Sequence, residues 1–485
     1  MMEKTGSKRG VFSGHLGYIL ATAGSAVGLG NIWRFPYLAA KYGGGILLLT
    51  YLVLALFFGY TLMVSETAIG RMTGKSPVGA FRALSMARRT ADLTAKGSAK
   101  ATAKATAKAT AKGSKNGWQA GGWINAIIPM LILPYYSVIG GWVAKYLFEY
   151  ILGHVSEAAA DGYFTSFISS PLGAWGWFMI FALMTVLVIA LGVENGVERV
   201  SRIMMPGLVV LAVIMAVYSM TRPGAAAGIR YFLVPDLSHF SWMTVVAALG
   251  QMFYSLSIAM GILITYGSYM KKDVNIEKSV HHVIFFDSGI AILSGLMIIP
   301  AVFAFSGGKP DALAQGPSLM FVTMPKIFES MSGGRFVGIL FFVLVLFAAL
   351  TSAISLAETC ASTFEDELKW SRKKATTVVA VIVAVLGSLS SLGFGPLSGV
   401  TPLGMSILDF FDFLTNSLMM PVAAFVICIF AVYVVGVRKI SEEVHLSSRF
   451  RFEGMYRICL KYIAPFFVMV ILLSSIANVL GIITI

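Results

Sequence analysis

The segment GSAVGLGNIWR at 24–34 sets three glycines, a serine, an asparagine and an arginine inside sequence otherwise apolar enough to cross a bilayer. Glycine costs about 1 kcal/mol relative to alanine in a helix interior, and a buried Asn31 or Arg34 needs a partner. Such a segment either packs tightly on another helix or is interrupted. A second stretch, FYSLSIAMG at 253–261, again breaks an apolar run with small and hydroxyl residues. Unwound backbone frees carbonyls for a cation and offers helix amino-terminal N–H groups to an anion. It survives in a membrane only when buried in protein or lining a cavity. Asp287, in FFDSGIAIL, is an acid inside an apolar run, which marks function by default; a salt bridge to His281 or His282 is the alternative. Thr351 and Ser352 add hydroxyl oxygens, although such groups in membrane helices also bond to their own or a neighbouring backbone.

The elements that carry these residues follow from composition. Of 485 residues, 57% are hydrophobic and 12% charged, with a mean hydropathy of +0.81. A span needs about 20 apolar residues. Eleven candidates lie near 14–39, 43–71, 123–151, 174–193, 201–220, 242–269, 279–306, 336–364, 375–393, 403–436 and 457–484. The chain reads as an all-α integral membrane protein. The basic residues before the first span do not resemble a cleavable signal peptide. Cys360, Cys428 and Cys459 fit neither a metal spacing nor a disulfide framework.

The net charge of +14 follows topology rather than a nucleic-acid partner. Lys4, Lys8 and Arg9 precede the first span, and a basic stretch follows the second. Lys271, Lys272 and Lys278 follow the sixth, Arg372, Lys373 and Lys374 the eighth, and Arg438 and Lys439 the tenth. Basic residues on alternate sides place the amino terminus in the cytoplasm; with eleven spans the carboxyl terminus lies outside. The expected location is the inner (plasma) membrane, with lipid as the surrounding partner. The repeat TAKGSAKATAKATAKATAKGS, 94–114, lies in a basic loop (88–117) read as a mobile, solvated cytoplasmic linker, or one drawn to anionic headgroups. The outer segment 307–335 carries two short amphipathic pieces that could cap a vestibule.

Five spans separate the interruptions in spans one and six, so the two segments cross in opposite directions. Broken helices at corresponding positions of two inverted halves point to a carrier with its site at the midplane. The halves would be 14–220 and 242–436, after a cytoplasmic segment 1–13 and before an eleventh span in 457–485.

The motif AGSAVGLGNIWRFPYLAAKYGGG (23–45) resembles the neurotransmitter:sodium symporter family, bacterial amino-acid branch. So do SLSIAMGILITYGSY (255–269), QGPSLMFVTMP (315–325) and LTSAISLAETCASTFEDEL (350–368). The resemblance implies two inverted five-helix repeats with broken helices one and six, and sodium-driven uptake of an amino acid by alternating access, by a monomer or homodimer. It implies two Na+ sites: Ala26, Asn31, Ser255 and Asp287 for one, Gly24, Val27, Ala348, Thr351 and Ser352 for the other. Carbonyl, amide, hydroxyl and carboxylate oxygens are hard ligands that suit this hard cation. Chloride-dependent members place asparagine where Asp287 stands, so the fixed carboxylate implies chloride independence.

Monoamine carriers of the family hold an aspartate at the position of Gly28, so a substrate here should bring its own carboxylate. Tyr136 would donate to it, or form a packing pair with Tyr135. The substrate pocket implied comprises Ser25, Ala26, Gly28, Leu29, Gly30, Ile132, Tyr136, Tyr254, Ser255, Ser257, Ala259, Met260, Ser352 and Ser355. Met260 replaces a bulky phenylalanine and adapts to varied shapes, which favours hydrophobic or aromatic side chains. Arg34 with Asp412 would form an outer gate and Arg9 with Asp366 an inner one, where Phe12 and His15 depart from the family's tryptophan and basic residue. Glu66 would support the unwound backbone of span six.

Other classes fit less well. A proton-coupled carrier of the same superfold would not need both Thr351 and Ser352, or an acid at 287 beside Asn31. A channel or receptor predicts a continuous pore or signalling domains. An enzyme needs a nucleophile–base pair or metal cluster, and the six histidines form no HExxH-type motif.

Overall fold

The computed structural model describes residues 10–95, 117–307 and 317–479. Arg9, most of the 94–114 repeat and the first part of the outer segment fall outside these residues. Nine described helices are long and apolar enough to cross a membrane, and two interrupted ones bring the spans to eleven. They are α1 (halves His15–Ala26 and Phe35–Lys41, the latter led by a π-helical turn Gly30–Arg34), α2 (Gly45–Thr73), α3 (Trp118–Leu152), α4 (Pro171–Ala190), α5 (Val193–Met220), α6 (halves Trp242–Ser255 and Ile262–Ser268), α7 (Ile276–Ser306), α8 (Gly334–Leu368), α9 (Arg372–Leu392), α10 (Ile407–His445) and α11 (Glu453–Ala477).

Several helices overrun their apolar segments. α10 continues to His445 as an amphipathic turn whose Val437, Ile440 and Val444 are buried, because hydropathy marks the bilayer and not the end of packing. Residues 88–95, expected in the mobile loop, instead extend the helix Pro77–Ala95, where Arg88 and Asp92 pair at i,i+4 across 3.2 Å.

The first half of α1 packs against α5, α7 and α8, while the second half of α6 packs against α2. This last contact is a backbone-to-backbone approach. A Cβ on Gly70 would lie 2.0 Å from the Ile264 carbonyl oxygen, and one on Gly267 would lie 2.4 Å from that of Thr67. Small residues let membrane helices meet this closely where lipid offers no hydrophobic drive. α3 runs through the other side of the molecule against α4, α8 and α9. The unwound stretches 27–30 and 255–261 are buried in protein, as unwound backbone requires.

Candidate functional site

Both interruptions are built from local backbone. α1 stops at Val27, which turns extended (φ −79°, ψ 94°), and helix resumes at Gly30. In α6 the chain unwinds between Leu256 and Gly261, with Ser257 (φ 54°) and Ala259 (φ 62°) both left-handed. That geometry costs on the order of 1–3 kcal/mol for each non-glycine residue. Glu66, fully buried on α2, accepts from the Ala259 N–H at 2.8 Å. It supplies an acceptor that the missing helical turn would otherwise have provided.

The two breaks meet around a narrow cavity. Ser25, Ala26, Gly28, Gly30, Asn31, Ile132, Tyr136, Tyr254, Ser255, Ser257, Met260 and Ser352 line it, together with Ile262 and Leu356, which sequence reasoning missed. Three expected pocket residues do other work. Ala259 spends its N–H on Glu66. Ser355 accepts from Tyr266 at 2.8 Å and donates to the Thr351 carbonyl. Leu29 donates its N–H to the Tyr136 hydroxyl at 3.3 Å. Gly28 sits where α1, α3 and α8 converge: a Cβ there would lie 2.7 Å from Ser352 Oγ and 3.1 Å from the Tyr136 hydroxyl.

On one side of the cavity lies an oxygen cluster. Asp287, wholly buried, accepts from Asn31 Nδ2 at 2.8 Å and from the hydroxyls of Ser255 and Tyr51. Asn31 also donates to Ser255 Oγ at 2.9 Å, and its Oδ1 accepts the Gly28 N–H at 3.1 Å. The His281 ring lies instead on Tyr60 (4.7 Å between centroids) and that of His282 on His15 (5.8 Å), so neither salt-bridge alternative is realised. Among the described residues the carboxylate is met by three neutral donors and no cationic side chain. A buried charge compensated only in this way is expensive, and these oxygens can coordinate a hard cation. Tyr51 was not legible: a lone tyrosine in GILLLTYLVL carries no pattern.

The second oxygen set lies between α1 and α8. Ser352 Oγ donates to the carbonyls of Ser25 (3.1 Å) and Gly24 (3.4 Å). Thr351 Oγ1 bonds back to Phe347 and Ala348, and a Cβ on Gly24 would lie 3.2 Å from Thr351 Cβ. Gly24, Ala348, Thr351 and Ser352 are therefore neighbours, and all their donor atoms are neutral.

The gates stand differently from the expected pairs. Arg34 lies over the Tyr254 ring, 5.6 Å from its centroid, while Asp412 accepts from Tyr135 at 3.2 Å and Asn416 at 2.6 Å. No direct ion pair joins Arg34 to Asp412, because Asp412 is already held by its own side of the vestibule. At the opposite end Asp366 accepts the Ser76 N–H at 2.6 Å. There Phe12, almost fully buried, donates its N–H to the Tyr269 carbonyl at 3.2 Å and sets its ring edge-on to Tyr18, Tyr266 and Tyr269. The Tyr269 hydroxyl bonds Glu358 at 2.7 Å, and Arg372 caps that buried carboxylate. Sequence reasoning missed Glu358, though the argument that flagged Asp287, an acid inside a membrane helix, applies to it equally.

Two antiparallel broken helices around a buried cavity, with oxygen clusters beside it, define an ion-coupled membrane carrier. Residues 9–91 and 165–482 match the model of the Sodium:neurotransmitter symporter family, and the chain belongs to that family. An uncharacterized sodium-dependent transporter of Bacillus subtilis is 32% identical over 95% of this chain and 96% of its own. One of Haemophilus influenzae is 29% identical over 98% of this chain and 100% of its own. The crystal structure of MhsT in complex with L-phenylalanine superposes with a TM-score of 0.82 at 36% identity, covering 96% of this chain and 100% of that one. The protein is thus a multi-pass, sodium-dependent symporter of a small-molecule substrate, in a family of transporters rather than enzymes.

Proposed function

We propose that the protein couples two sodium ions to the uptake of neutral, hydrophobic or aromatic L-amino acids across the plasma (inner) membrane, without chloride. The amino terminus is cytoplasmic and the carboxyl terminus outside. The observation that carries the substrate class is Gly28: no side-chain carboxylate stands where the two breaks meet Tyr136 and Ser352. A substrate α-carboxylate fits that gap, beside the Tyr136 hydroxyl and the amino-terminal end of the resumed helix at Gly30. The ammonium group would take the carbonyls freed by unwinding, and Ile132, Met260 and Leu356 would receive the side chain. The structural relative solved with L-phenylalanine, 36% identical, supports the hydrophobic class.

One sodium would bind among the Ala26 carbonyl, Asn31, Ser255 and Asp287, the other among Gly24, Val27, Ala348, Thr351 and Ser352. Access would alternate between an outer gate at Arg34, Tyr254 and Asp412 and an inner one at Arg9, Phe12 and Asp366. Binding of an ion shifts such an equilibrium only by its differential affinity for the two states.

Chloride independence rests on Asp287, a fixed negative charge that removes the need for a mobile anion. Vesicles carrying the protein are expected to take up substrate at an unchanged rate when gluconate replaces chloride; a strict chloride requirement would overturn this reading. Tyr136 makes a second test. Its hydroxyl accepts from Leu29 and bonds Ser352, and it would turn its proton to an arriving substrate carboxylate. Tyr136→Phe should weaken amino-acid binding by about 1.5–3 kcal/mol, as for other hydrogen bonds to charged groups, measured by equilibrium binding in saturating sodium. Unchanged affinity would remove Tyr136 from the site.

A further inference from the structure

Remote from the transport cavity, Gly153 (φ 91°) ends α3 and turns the chain back on itself. His154 thereby returns over Glu149, and Glu157 joins them from the short helix Val155–Ala159. His154 Nδ1 lies 2.7 Å from Glu149 Oε2 and 3.9 Å from Glu157 Oε2. One ligand atom from each of the three residues lies within 4.8 Å of the others. The transport reading uses none of them.

The set is part fixed and part adaptable. The Glu149 side chain is 7% exposed; its other oxygen is held by Lys145, and Tyr163 lies beside it. Oε2 is thus anchored facing the imidazole. The His154 and Glu157 side chains are 45% and 71% exposed, open to an arriving ion and to water for the remaining positions. Zinc bonds of about 2.0–2.2 Å place ligand atoms roughly 3.3–3.6 Å apart in a tetrahedron. The observed 2.7 and 3.9 Å bracket that spacing, and Glu157 is the side chain freest to move. An imidazole with two carboxylates suits zinc and its transition-metal neighbours better than magnesium or calcium, which prefer oxygen alone.

We propose that Glu149, His154 and Glu157 form a binding site for a zinc-class divalent cation at the rim of the molecule. The ion takes the place of the hydrogen bond that now joins His154 Nδ1 to Glu149, the neutral imidazole then carrying its proton on Nε2. Lys145 offsets one carboxylate charge and makes the site weaker than a structural zinc centre. Occupancy would pin the helix Val155–Ala159 to the end of α3. That helix packs on Met324–Ser330 of the outer segment, and Asp161 pairs with Lys326 across the same contact, so the ion would stiffen that packing.

The test uses the full chain, purified in detergent with any affinity tag removed, and Co2+ as a visible probe. The expected result is one saturable Co2+ equivalent, displaced by Zn2+. His154→Gln and Glu157→Gln should each weaken binding on the order of tenfold or more, since even supporting residues of metal sites cost that much. Sodium-dependent substrate binding, which neither residue touches, should be unchanged in both variants and reports that they are folded. No saturable Co2+ binding by the unmodified protein, or equal affinity in both variants, would overturn the site.

Discussion

L-Tryptophan, L-tyrosine, L-phenylalanine or L-leucine will displace a bound amino acid from the purified protein, whereas tryptamine, tyramine and dopamine will not. The difference between each pair is one carboxylate. At Gly28 the protein supplies none, and the Cβ that would have carried one lies 2.7 Å from Ser352 Oγ. A sodium ion held by Asn31 and Asp287 would put a full positive charge beside that gap, in surroundings of low effective dielectric where charges act strongly. An α-carboxylate answers both the ion and the Tyr136 hydroxyl at the start of the resumed helix. An amine without it leaves the ion under-coordinated in a buried site, at a cost on the order of several kcal/mol. Gly28→Asp should abolish amino-acid binding, because the new side chain displaces Ser352 and Tyr136 and occupies the carboxylate's place. Competition binding with tryptophan and tryptamine, in the unmodified protein and the variant, decides this. Equal competition by the two ligands would remove the carboxylate argument.

Thr351→Val together with Ser352→Ala should raise the sodium concentration for half-maximal binding many-fold. Valine matches threonine in shape, and both hydroxyls now bond to carbonyls of α8 or α1, so the pair removes ligands with little loss of packing. The proposed second ion site would have no carboxylate. Each lost neutral oxygen is therefore a large share of its coordination, and no fixed charge compensates. Titrating sodium at constant substrate gives the shift directly. An unshifted sodium curve would mean that these hydroxyls serve only α8 and its contact with α1.

The two breaks and the buried acid were legible because membranes penalise polar atoms so heavily, whereas the individual pocket, ligand and gate residues came through the family resemblance. Glycines, a serine and Asn31 in one apolar run, small and hydroxyl residues in another, and a lone Asp287 had no bland explanation that accounted for all three. The spans followed from hydropathy, and where they end in the structure is set by amphipathic packing that hydropathy does not see. Residues whose work depends on distant partners were not legible. Tyr51 reaches Asp287 from α2, Arg372 reaches Glu358 from α9, and nothing near either in sequence marks the pairing. The outer gate shows the reverse: Arg34 and Asp412 have suitable charges, yet Tyr135 and Asn416 hold Asp412 on its own side. Residue type predicts what a group can bond, and the local scaffold decides which bond it makes.

The central claim, that a sodium gradient drives amino-acid accumulation, is tested most directly in sealed proteoliposomes loaded with potassium and diluted into sodium. With the tightest-competing amino acid as radiolabelled substrate, an inward sodium gradient should concentrate it inside above the outside level. Collapsing that gradient with a sodium ionophore should release it. Equal accumulation with potassium on both sides, driven by a proton gradient alone, would contradict the account.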